Sequence, residues 1–196
     1  MELIKVSCDK QDCPVFKKCC FLPTEYYGGI EDQVDILFVG GKDERKKHRP
    51  FVGRAGRRLR ELVVYLRNKT GMNFGVAFSN TIRDNPEDNR PPDPDELEQC
   101  LSYLYCDIAE LKDRGLKCVI PLGNPSKRAL IKGSSTSMES DHGKVYKVCN
   151  DAFGEVMMIP TYHPSYLCRV HQVWHPEKPG KFELLALEDI EKALGL

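Results

Sequence analysis

Apolar positions along the chain switch between two periods, and the switching predicts strands that end in loops and helices that lead back to the next strand. Residues 35–39 (Asp-Ile-Leu-Phe-Val) form a short apolar run closed by Gly40-Gly41, the pattern of a buried strand delivering the chain into a loop. Leu59, Leu62, Val63 and Leu66 then repeat at helical spacing, predicting an amphipathic helix from Ala55 to about Asn68 that opens near Gly53 and Gly56. Phe74 to Ser79 reads as a second strand ending at Asn80, and the polar, proline-rich stretch Arg83 to Asp93 as a long loop. Pro94-Asp95-Glu96 starts a second helix, because proline suits a first turn and acids suit its dipole. Its apolar side is Leu97, Leu101, Leu104, Ile108 and Leu111. Lys117 to Leu122 is a third strand running into Gly123-Asn124-Pro125, and a short helix follows to about Ile131. Val145–Val148 and Val156–Ile159 supply two more strands, and Phe182–Leu194 a last helix. This alternation predicts an α/β fold, a three-layer αβα sandwich around a central, mostly parallel sheet. Ligand chemistry gathers at strand ends in such folds, here Gly40–Gly53, Asn80–Arg90 and Pro160–Ser165.

The length of 196 residues fits one domain, 1–196, with 1–30 as a Cys-rich N-terminal segment. Met1 to Cys13 holds no apolar run of signal-peptide length, and no stretch approaches the roughly 20 apolar residues of a membrane span. A cytoplasmic protein without a membrane partner is therefore expected. The 29 basic and 29 acidic side chains cancel, so any nucleic-acid contact has to come from a local patch. Nine Lys or Arg stand between Lys42 and Arg60 against Asp43 and Glu44. Alone, such a run is a solvated helix face plus a charged loop. Nine cysteines are many for a compartment that rarely sustains disulfides, so metal or cluster ligation competes with burial. Cys8, Cys13, Cys19 and Cys20 crowd the polar N-terminal segment, whereas Cys106, Cys118, Cys149 and Cys168 lie in or beside apolar stretches and are expected to pack in the core.

Three loops carry recognisable strings. Arg49-Pro-Phe-Val-Gly-Arg-Ala-Gly56 resembles GRPFVGxAG, the segment from Asn80-Thr-Ile-Arg-Asp84 to Asn89-Arg-Pro91 resembles NVVKCRPPGNRxP without a gap, and Thr161-Tyr-His-Pro-Ser165 resembles TxHPS. Pro121-Leu-Gly123 and the helix after it match a further landmark. In this order, and at strand ends, they are similar nearly end to end to the uracil-DNA glycosylase superfamily, most closely its iron–sulfur family 4 branch. The resemblance implies a monofunctional DNA glycosylase that hydrolyses the N-glycosidic bond of a flipped pyrimidine and leaves an abasic site. Phe51 would stack on the base. Asn80 would read its edge, pairing with N3–H and O4 of uracil or, with its amide turned, with N3 and the N4 amine of cytosine. His163 would donate to O2 as negative charge moves onto the leaving base. Ser165 would contact a flanking phosphate, Tyr166 or Leu167 would enter the space the nucleotide vacates, and Lys46, Lys47 and Arg49 would bind DNA.

The first motif departs from the family's GEAPG. The chain reads Gly40-Gly-Lys-Asp-Glu, reaches Arg49-Pro-Phe about three residues sooner, and has Gly41 at the glutamate position. Gly41-Lys42-Asp43 also resembles the Gly-x-Asp opening of family 1 enzymes, whose aspartate orients the attacking water. Asp43 is the expected acid and Glu44 the alternative. The resemblance further implies a 4Fe–4S cluster on Cys8, Cys13 and Cys100, with Cys19, Cys20 or Asp84 as the fourth ligand and zinc as the alternative metal. Gly41 and the shortened loop leave room for a C5-modified pyrimidine, such as a hypermodified phage cytosine, in place of uracil. A second function class is a non-catalytic iron–sulfur module of the same fold that binds DNA. A monomer is expected in either case.

Overall fold

A computed structural model describes residues 33–41, 50–83, 90 and 92–196, with the backbone of 3–4 and 24–27. The elements in chain order are β1 (Leu3–Ile4), β2 (Thr24–Tyr27), β3 (Ile36–Gly40), α1 (Arg54–Thr70), β4 (Val76–Asn80), α2 (Pro94–Asp113), β5 (Cys118–Pro121), α3 (Gly123–Leu130), β6 (Tyr146–Asn150), β7 (Gly154–Met158), α4 (Pro164–Val170) and α5 (Lys181–Ala193). The seven strands form one sheet in the order β1-β2-β4-β3-β5-β7-β6. Its central strands β4, β3, β5 and β7 run parallel, and the pairs β1–β2, β2–β4 and β6–β7 are antiparallel.

Strand β3 is buried on both faces, which is why it reads as an unbroken apolar run rather than an alternating one. Ile36 and Phe38 pack with α1 and α5, while Leu37 and Val39 pack with α2 and the end of α3. The result is the expected three-layer α/β sandwich. The predicted stripe of α1, Leu59, Leu62, Val63 and Leu66, is wholly buried, each side chain contributing on the order of 2 kcal/mol. Gly71, at φ 70°, ends this helix in the left-handed region. Helix α2 starts where Pro94 and the acids place it, with a reciprocal cap between Asp93 and Glu96.

The strands near Val145 and Val156, whose direction was left open, form an antiparallel hairpin at the sheet margin. Three expectations are corrected. The stripe of α2 is rotated, so that Cys100, Leu104, Ile108 and Leu111 are buried while Leu97 and Leu101 are half-buried. Cys118 and Cys168 are core residues, but Cys106 lies on the outer side of α2 and Cys149 on the outward-facing register of β6. Finally, Pro164–Val170 is a helix, not a continuation of the loop after β7.

Candidate active site

The site begins where β3 and β4 end side by side, with Gly40 in register with Asn80. Their pairing continues past the strands: Thr81 N–H donates to Gly40 O at 2.9 Å, Ile82 N–H to Gly41 O at 2.9 Å, and the Thr81 hydroxyl to Gly41 O at 2.7 Å. Asn80 is 4% exposed, and its Nδ2 has no hydrogen-bond partner among the described residues. A Cβ at Gly40 would collide with Asn80 Oδ1 and lie 2.8 Å from Phe51 Cζ. The bare backbone of Gly40 is thus what lets the amide and the ring sit together.

Phe51 is held in an uncommon conformation, with φ of 54° in the left-handed region. Arg60, in the second turn of α1, donates to Phe51 O at 2.7 Å and lays its guanidinium 4.8 Å from the Phe78 ring centre. The Phe51 ring rests against Phe78 at 5.8 Å between centroids. Gly56 completes the support, because a Cβ there would strike the Phe51 carbonyl. Gly56→Ala is therefore expected to displace the Phe51 backbone, weaken binding of a flipped base and clearly lower the thermal midpoint. Measuring affinity for DNA carrying an abasic-site analogue with free base added, beside the melting curve, checks this.

His163 caps α4. Its Nδ1 accepts the Ser165 N–H at 3.1 Å and the Ser165 hydroxyl at 2.7 Å. With Nδ1 accepting twice, the neutral ring carries its proton on Nε2, a donor free to face a ligand. Burial, and then the charge of Arg169, push its pKa from about 6.5 down to about 4, so the ring is neutral near pH 7. Its centroid lies 6.3 Å from that of Phe51. Under the loop, the Thr161 hydroxyl donates to Asp189 of α5 at 2.5 Å, and the Thr161 backbone accepts from Gly123 N–H at 2.9 Å. Helix α4 is fastened to α1 by Arg54, which donates to Cys168 O at 3.2 Å and Gln172 O at 2.8 Å, while the ion pair of Arg58 with Glu183 ties α1 to α5. Phe51, Asn80 and His163 are thereby gathered from three separate strand ends.

The remaining expected residues divide. Asp43, Glu44, Lys46, Lys47, Arg49, Asp84, Cys8, Cys13, Cys19 and Cys20 lie outside the described residues. Ser165 is present beside His163, to which its hydroxyl donates. Tyr166 is half-buried, stacked on Tyr162 and edged by Phe182. Leu167 is completely buried in the core and cannot enter a duplex. The described part of the basic run is also largely engaged within the fold, since Arg54, Arg58 and Arg60 bond carbonyls or Glu183. Sequence reasoning missed Arg60 and Asp189, whose partners are set by packing. It also missed α4, although proline after a capping residue is a start signal.

Comparison with known proteins bears on this arrangement directly. The family model of the Uracil DNA glycosylase superfamily matches residues 27–191. The chain belongs to this superfamily. A type-4 uracil-DNA glycosylase of Thermotoga maritima is 34% identical over 161 residues, covering 81% of this chain and 75% of the relative. One of Pyrobaculum aerophilum is 35% identical over 189 residues, covering 93% and 87%. One of Archaeoglobus fulgidus is 32% identical over 149 residues, covering 72% and 71%. In this uracil-DNA glycosylase superfamily member, a cavity of about 840 Å³ opens beside the site, bordered by Gly41, Thr81, Gly123 and His163. Among the described residues there is no grouping of three or more His, Cys, Asp or Glu able to hold a metal ion, Cys100 being the one proposed cluster cysteine that falls within them. Nor is any helix among them long and apolar enough to cross a membrane.

Proposed function

We propose that this DNA glycosylase removes uracil, hydrolysing the N-glycosidic bond of a nucleotide flipped out of DNA. The observation that carries the reading is the buried Nδ2 of Asn80 beside Phe51. Leaving such a donor without an acceptor costs about 1–3 kcal/mol, a cost relieved when O4 of uracil accepts from Nδ2 and N3–H donates to Oδ1. A base paired in this way lies on Phe51, with its O2 edge toward His163. As the C1′–N1 bond breaks, its electron pair passes to the base and charge collects on O2, where the Nε2–H of neutral His163 stabilises it. Asp43 orients the water whose oxygen bonds to C1′ and takes the proton that water gives up, and its carboxylate faces the positive sugar that forms meanwhile. Lys46, Lys47 and Arg49 bind flanking phosphates, with Ser165 and Tyr166 against the strand near His163. The names of the three relatives, all type-4 uracil-DNA glycosylases, support this base.

Gly41, which borders the cavity without a side chain, favours a second reading in which the base carries a C5 substituent. Oligonucleotides containing uracil, hypoxanthine or glucosylated hydroxymethylcytosine, treated with alkali after incubation, separate the two. Cleavage of the uracil strand is expected. Cleavage confined to the glucosylated strand would replace the base and keep the reaction.

For the cofactor we propose a 4Fe–4S cluster on Cys8, Cys13, Cys100 and Cys19. Cys100 suits it, a thiol 8% exposed on the inner side of α2 and thus shielded from water. Thiolates are the normal ligands of such clusters, and zinc is the competing occupant. When bound, the cluster would join the N-terminal segment to α2, an architectural contribution. Cys100→Ser is expected to abolish the visible absorbance of anaerobically prepared protein and lower its melting temperature, with the chemical step little changed. Stoichiometric zinc in the wild-type protein, or no metal after reconstitution with iron and sulfide, would remove the cluster.

A further inference from the structure

We infer that Arg128 and Arg169 form a phosphate-binding cleft that receives the DNA backbone beside the flipped nucleotide, an inference resting on the DNA glycosylase reading above. The two arginines, from α3 and α4, border the same cavity as His163. Among the described residues lining that cavity there is no acid, and much of the lining is apolar, including Ile82, Leu97, Leu122 and Met138. Both side chains are exposed. Among the described residues Arg128 bonds Thr136 O at 3.3 Å, and Arg169 reaches Ser165 Oγ at 3.5 Å and overlies the Tyr166 ring. Neither has a carboxylate partner among the described residues, whereas Arg58, Arg90 and Lys127 are each paired with one.

This distribution matters in a protein of zero formal net charge, where a polyanion has to be drawn by local field. Two guanidinium groups without a carboxylate partner among the described residues, lining one apolar cleft, supply such a field, and their planar donors match phosphate oxygens. Position gives the cleft its use. Arg169 adjoins Ser165, whose hydroxyl holds His163 Nδ1, so a phosphate on Arg169 sets the strand in register with the group that meets the leaving base. These contacts lie on the α3–α4 side of the site, away in sequence from the expected basic run at 42–49.

The test uses the full-length protein and uracil-free duplex, so that binding is read independently of excision. The logarithm of the binding constant is followed against the logarithm of salt concentration for wild type, Arg128→Ala, Arg169→Ala, the double variant, Arg169→Lys, and Lys147→Ala on the exposed edge strand as a control, with melting curves for each. Each alanine is expected to flatten the slope by about 0.9, and the double variant by about 1.8, with Arg169→Lys and Lys147→Ala near wild type. A double variant that keeps the wild-type slope overturns the cleft, and if it still excises uracil the glycosylase reading survives that failure. A wild-type protein that releases no base, while the alanine variants flatten the slope, upholds the cleft and removes the uracil reading instead.

Discussion

His163→Ala is expected to slow single-turnover release of uracil by about 100- to 1000-fold, roughly 3 to 4 kcal/mol of transition-state stabilisation, with little change in DNA affinity. The contribution is large because the donor is fixed before the charge appears. Two acceptor bonds at Nδ1 orient the ring and leave Nε2–H as its outward donor. The same geometry gives a pH dependence. Protonation at Nδ1 would break the bond from Ser165 N–H and reverse the one to its hydroxyl, loosening the ring's orientation, so the rate should fall as pH drops through about 4. Stability carries a matching signature. The folded-state pKa is depressed from about 6.5 to about 4, so across that window the unfolded chain binds more protons and the fold loses stability as pH falls. Denaturation midpoints between pH 7 and 4 should therefore decline less steeply in His163→Ala than in the parent. A variant with an unchanged rate would assign the ring to capping α4 alone.

Asp43→Asn should produce a comparable loss, again with DNA binding retained, because the amide keeps the size of the side chain and removes the charge proposed to face the sugar. Both ends of the segment carrying Asp43 are anchored at the site. Gly41 is held by Thr81 and Ile82, and Pro50 is buried next to Phe51. Glu44→Gln serves as the comparison in the same single-turnover assay. If Asp43→Asn stays near the parent and Glu44→Gln collapses, the acid lies one residue further on. If neither matters while His163 does, another group positions the water.

The elements legible in the sequence were those whose own periodicity records their burial. The α1 stripe and the buried β3 run are found almost to the residue, and α2 starts at its predicted proline. Direction was less legible. The β6–β7 hairpin was signalled only by the shortness of the turn between Asn150 and Gly154, since parallel and antiparallel strands share one side-chain period. Helix α4 was hidden by the prolines around it, although His163 and Pro164 are its cap and first residue. Phe51, Asn80 and His163 were singled out by their flanking strings and lie near one another in the fold, but what holds them in place was not legible. Arg60 on the Phe51 carbonyl and Asp189 under Thr161 arise from packing between elements, and Asp189 is 28 positions from its partner. Charge was the least informative signal. Arg58 reads as part of a solvated basic run and is in fact buried against Glu183, 125 positions away.

The central claim is that a flipped uracil is detached and the strand left whole. It is tested most directly by mass spectrometry of a single-turnover reaction with an oligonucleotide carrying one uracil. The account predicts free uracil in equal amount to an uncut strand bearing an abasic sugar, which breaks only on treatment with alkali. Tight binding of the same DNA with no free base released would contradict it, and would leave a protein that recognises DNA without cutting the glycosidic bond.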